Sequence, residues 1–145
     1  MDIDRATLHA AIEGAVSGHP EIAAAYLYGS AVRGTATPLS DVDLGLLFRE
    51  PEGSFRDRLA TAVGIGSAIA RDLSGVRVDA RDLDELPLAI IGAVLTDGEL
   101  VVSNDEERRV AFERDTRLRY FDFLPIHLGE VKEANASLRR RFLRG

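Results

Sequence analysis

Tyr28-Gly29-Ser30-Ala31-Val32-Arg33-Gly34, followed after a short turn by Ser40-Asp41-Val42-Asp43-Leu44, is the segment from which the rest of the chain can be ordered. An apolar run, Ala23-Ala24-Ala25-Tyr26-Leu27-Tyr28, leads into it and reads as a strand that ends at a glycine turn. At Gly29 the backbone can turn tightly and approach a ligand with no side chain in the way. A helical turn starting at Ser30 would present free N–H groups and a hydroxyl, which favour an anion. Asp41 and Asp43 then open a second apolar run, Leu44-Gly45-Leu46-Leu47-Phe48. Residues two apart on a strand share a face, so two carboxylates would stand side by side near a phosphate-sized turn. Such a pair repels itself unless a positive charge sits between, and hard oxygen donors suit Mg²⁺.

Gly29-Ser30, Arg33-Gly34, Ser40-Asp41 and Asp43-Leu44 together resemble the G-S-x-x-R-G…S-D-x-D-L signature of the DNA polymerase β-like nucleotidyltransferases. The closest subgroup is the minimal nucleotidyltransferases (MNT), small antitoxins to HEPN-domain toxins. The resemblance covers essentially the whole chain. It implies the nucleotidyltransferase fold, an α/β (α+β) arrangement with a small mixed sheet covered by helices and completed by C-terminal helices. It also implies a Mg²⁺-dependent transfer of AMP from ATP, with two ions held by Asp41, Asp43 and Asp79. Gly29, Ser30, Arg33 and Ser40 would bind the nucleotide, and the acceptor would be a tyrosine of a partner HEPN RNase. Two rivals stand beside this: an antitoxin that only occludes its toxin, and a nucleotidyltransferase acting on a small molecule such as an aminoglycoside. A complete motif speaks against lost catalysis, and a chain of this length leaves little for a separate acceptor-binding domain.

The bulk properties agree. A chain of 145 residues is the size of one domain, expected over 1–145, and 46% hydrophobic with 29% charged residues is ordinary for a soluble globular protein. No apolar stretch approaches the roughly 20 residues of a membrane span, and the acidic start Met1-Asp2-Ile3-Asp4 is unlike a signal peptide, so a cytoplasmic location is expected. Absence of cysteine excludes disulfides and thiolate metal sites. A net charge of −6 argues against broad nucleic-acid binding. Lys132 is the only lysine, so a phosphate-loop lysine is excluded and cationic contacts to a triphosphate fall to arginine.

In chain order, Asp4 caps a helix to about Ser17, with Leu8, Ile12 and Val16 on its buried face. The strand from Val42 to Phe48 is nearly all apolar and so expected to be central. Ser54 and Asp57 open a second helix whose apolar positions are Leu59, Val63, Ile65, Ile69 and Leu73. Gly64-Ile65-Gly66 within it reads as close packing, because no strand precedes it and a third glycine is missing. Val76 to Arg81 alternates as a third strand, with Arg77, Asp79 and Arg81 on one side. Asp79 has two readings: a rung in an exposed Arg-Asp-Arg ladder on an edge strand, or, by the resemblance, the third carboxylate, with Asp82 the next to consider. A short helix over Leu88–Leu95, a strand over Glu99–Val102 and a helix from about Asn104, capped by Ser103 with Glu106, follow. Pro125 is expected to interrupt that helix, with another from Ile126 to about Leu143. His9, His19 and His127 lack metal-ligand spacing. The basic tail, Arg139-Arg140-Arg141 and Arg144, reads as a solvated helix end or as a contact for RNA or an acidic partner.

Overall fold

Asp4 begins the first helix by chemistry that is local and complete. Its carboxylate accepts from the Ala6 and Thr7 amides at 2.7 and 3.1 Å, satisfying donors that a helix start leaves unpaired. The computed structural model describes residues 3–29, 41–50 and 53–128, the last eight by their backbone alone. Within them, α1 spans Arg5–Ser17 and buries Leu8, Ala11, Ile12 and Val16. Strands β1 (Ile22–Tyr28) and β2 (Val42–Phe48) follow, then α2 (Phe55–Asp72) and β3 (Val78–Asp82). A 3-10 turn over Leu83–Glu85 leads to α3 (Leu88–Asp97), β4 (Glu99–Ser103) and α4 (Glu106–Leu128).

The sheet order is β3-β2-β1-β4. β1 runs antiparallel to β2 and to β4, while β2 and β3 are parallel, joined by the α2 crossover. The mixed sheet with helices on it is the expected architecture. β1 and β2 are central, as their unbroken apolar runs require, because both faces are covered. α1 and α2 lie on one face, over Leu27, Leu44, Leu46 and Phe48. On the other face Tyr26, Leu47 and Leu83 pack with Ile91, Val94 and Phe112 from α3 and α4. Each fully buried aliphatic contributes roughly 1.5–3 kcal/mol, so this two-sided core fixes the strand register on which the site depends.

Three expectations need correction. Leu59 and Val63 do not face the core: they are 50% and 58% exposed, and Phe55 lies beside them on the same outer stripe. α2 is instead turned so that Ala62, Ile65, Gly66 and Ile69 meet the sheet. Small residues allow the close approach: a Cβ on Gly66 would lie 3.4 Å from Ala80 Cβ and from the Val78 carbonyl. Gly64 has open space around it, so only one glycine of the pair is a packing residue. Gly64→Ala is therefore expected to raise stability by about 0.5–1 kcal/mol through helix propensity. Gly66→Ala should gain less, and thermal melts of the two variants check the difference.

The second correction concerns the start of α4. Asp105, not Ser103, is the cap: its carboxylate accepts from the Arg108 amide at 3.1 Å. Ser103 remains in β4, and its hydroxyl accepts from Arg109 Nε at 3.0 Å. The third is Pro125, which does not end the helix, since α4 continues to Leu128. A proline removes only its own N–H from the ladder, and flanking turns can carry the helix past it. The basic tail and most of the proposed last helix lie outside the described residues.

Candidate active site

Strand pairing brings the chemistry together at the end of the sheet where β1 stops and β2 starts. Tyr28 pairs with Asp43 across β1 and β2, and Asp43 pairs with Asp79 across β2 and β3. Directly opposed residues share a face, so a phenol and two carboxylates stand in one row across three strands. Asp41 precedes β2 by one residue and is 44% exposed. Gly29 follows Tyr28 with φ of +77°, a conformation that glycine adopts without strain. A Cβ there would collide with Asp43 Oδ2, so the glycine backbone lies directly against that carboxylate. Ser30, Arg33 and Ser40, and Gly34 with them, lie outside the described residues.

Cations flank the row. Arg81 Nε lies 3.2 Å from Oδ1 and 3.1 Å from Oδ2 of Asp79, and Arg77 Nε lies 3.5 Å from Asp41 Oδ1. Asp79 thus sits both in the arginine ladder and in the row. It is on an edge strand, paired with an arginine and 43% exposed, yet it is also the carboxylate in register with Asp43. Asp82 is no substitute. Three residues along a strand is the opposite face, and Asp82 is buried there with Arg58 Nε at 2.8 Å. Its other oxygen caps the Asp84 amide at 3.0 Å, so Asp82 serves the fold.

Tyr28 was readable in the sequence only as the last strand residue; its place in the row comes from the register. Burial first, then the charges of Asp43 and Asp79, push its hydroxyl up to about 12, with Arg81 opposing. Because the folded value lies above the ordinary 10, this stabilisation is whole below pH 10 and is lost as pH rises toward 12. Tyr28→Phe is expected to flatten the fall in stability over that window, as denaturant melts at stepped alkaline pH would measure.

The donors suit a hard cation. Three carboxylates lie at one end of the sheet, Asp43 and Asp79 in register, and Asp43 lies against the bare backbone of Gly29. Their side chains are not gathered around one point, however. Among the described residues no three acidic or histidine side chains are close enough to hold a metal ion. Two of the carboxylates are drawn aside to arginine. The ligand type fits a hard cation, and the register of Asp43 with Asp79 places two of the donors on one face.

Comparison with known proteins gives the row its context. Residues 11–107 match the family model described as polymerase beta, nucleotidyltransferase. No curated protein matches the sequence. Among solved structures, a toxin–antitoxin crystal with AMP-PNP shares the fold at a TM-score of 0.67 and 20% identity, over 87% of this chain and 97% of that one. A Shewanella oneidensis structure of a tri-AMPylated HEPN toxin with its MNT antitoxin gives 0.66 and 16%, over 90% and 98%. The toxin–antitoxin MntA-HepT gives 0.63 and 18%, again over 90% and 98%. At such identities the likeness is one of fold. The family match takes in Gly29, Asp41, Asp43 and Asp79 together, and this chain belongs to the polymerase beta nucleotidyltransferase family.

Proposed function

We propose that the chain transfers AMP from ATP to a tyrosine hydroxyl of a HEPN-domain toxin, with Mg²⁺, and so acts as its antitoxin. The observation that carries this is the register Asp43–Asp79 beside the bare backbone of Gly29. Solved relatives of the same fold are toxin–antitoxin assemblies, one with AMP-PNP and one with a tri-AMPylated HEPN toxin. Among the described residues no helix is long and apolar enough to cross a membrane.

The bare backbone at Gly29 would receive the β and γ phosphates, and Ser30, Arg33 and Ser40 are assigned to nucleotide binding by the family signature they belong to. Mg²⁺ held by Asp41, Asp43 and Asp79, as two ions, would supply Lewis-acid stabilisation of the attacking and leaving oxygens. The acceptor oxygen attacks the α-phosphorus in line. A new O–P bond forms as the bond from that phosphorus to the α,β-bridging oxygen breaks, and the electron pair leaves with pyrophosphate. Asp79, exposed at the sheet edge, takes the acceptor's proton and passes it to water.

Asp79→Asn separates binding from transfer. Asp41, Asp43 and the glycine turn remain, so ATP binding should be largely kept, while transfer falls at least ~100-fold with loss of the base. Calorimetric titration with ATP and a labelled-AMP assay on a HEPN-domain toxin that the chain binds measure the two separately. Wild-type transfer by this variant would remove Asp79 from the site and return it to an exposed ladder.

A further inference from the structure

Asp79 and Asp41 each have an arginine as counter-charge, Arg81 on β3 and Arg77 just before it. The alternation Arg77, Asp79, Arg81 puts two guanidinium groups and one carboxylate on the face that carries Asp41 and Asp43. Arg81 reaches both oxygens of Asp79 through Nε, at 3.2 and 3.1 Å. Arg77 reaches Asp41 more loosely, at 3.5 Å. β3 is an edge strand, so no further strand pins Arg81, and Arg81 and Arg77 are 57% and 82% exposed. Exposed pairs of this kind are weak enough to exchange, yet strong enough to bias which cation a carboxylate holds.

We infer that Arg81, supported by Arg77, is a built-in counter-ion that competes with a divalent cation for Asp79 and keeps the site's affinity for the bare ion low. The inference rests on the metal-dependent reading above and concerns its regulation. A triphosphate offers the displaced guanidinium groups another anionic partner, and in a chain with Lys132 as its sole lysine arginine is the cation available to meet it. The site would therefore favour a cation delivered with a nucleotide over the free ion. Arg81 is a positioning residue in this account: it acts through Asp79.

Mn²⁺ is a suitable probe, because its free concentration can be followed by electron paramagnetic resonance in the full chain. Without nucleotide, Arg81→Gln should bind Mn²⁺ about fivefold more tightly than wild type, the scale expected of an exposed charge-assisted pair. Arg114→Gln, which removes an equal charge from an exposed pair with Asp115, should leave Mn²⁺ binding unchanged. In an Asp79→Asn background the gain from Arg81→Gln should vanish. Equal or weaker Mn²⁺ binding by Arg81→Gln overturns the inference, as does a gain that persists without Asp79. Adding ATP separates this failure from that of the parent reading, with bound Mn²⁺ then read as metal that co-elutes with the protein, since ATP itself chelates the ion in solution. If wild type binds Mn²⁺ with ATP while Arg81→Gln gains nothing without it, the counter-ion role alone falls. If neither protein binds Mn²⁺ under either condition, the metal-dependent reading falls as well.

Discussion

Asp43→Asn is expected to abolish AMP transfer and to leave the fold standing. Asp43 lies between Tyr28 and Asp79 in the row, with the Gly29 backbone against its carboxylate, so no other described side chain can take its place. The substitution keeps the shape and removes one charge. Because Asp43 and Asp79 are like charges directly opposed on adjacent strands, relief of their repulsion offsets whatever the lost charge contributed. Stability should stay within about 0.5–1 kcal/mol of wild type, or rise. Asp41→Asn should behave in the same way. A variant that melts far below wild type, or one that keeps wild-type transfer, contradicts the assignment. The same variant separates enzyme from occluding antitoxin, since a transfer-dead chain that still silences its toxin fully would have to act by covering it.

Gly29→Val is the second large effect. The new Cβ would meet Asp43 Oδ2, and a β-branched residue resists the φ of +77° at this position. Strain of about 1–3 kcal/mol is expected, together with loss of ATP binding, because the backbone can no longer approach the phosphates. Ser30→Ala should be milder, as the N–H groups remain. Calorimetric titration with ATP and Mg²⁺ orders the two, and Ser30→Ala proving worse would overturn the backbone cradle.

Much of this was legible in the sequence because it is local. Asp4 and Ser54 cap their helices as their neighbours dictate, and the runs before Gly29 and after Asp43 can hardly be anything but buried strands. What was not legible depends on partners distant along the chain. The outer stripe of Leu59 and Val63 looked like a core face because periodicity weighs bulky residues, whereas the contact is made by Ala62 and Gly66. Ser103 looked like a cap, but Asn104 and Asp105 both donate to the Ala23 carbonyl, at 2.7 and 3.1 Å, which holds Ser103 in the strand and passes the cap to Asp105. Tyr28 joined the site only once its partner across β2 was known. Asp79 was proposed by family likeness, and the parallel register with Asp43 is what gives that proposal a geometry.

The proposed function turns on movement of the α-phosphate of ATP, with its nucleoside, onto a partner protein. The direct measurement compares ATP labelled at the α-phosphate with ATP labelled at the γ-phosphate, each incubated with the chain, Mg²⁺ and a HEPN-domain toxin that it binds. The account predicts stable label on a HEPN tyrosine from the α-position only, release of pyrophosphate, and no label with Asp43→Asn. Label arriving from the γ-position, or α-label transferred equally well by Asp43→Asn, would contradict it.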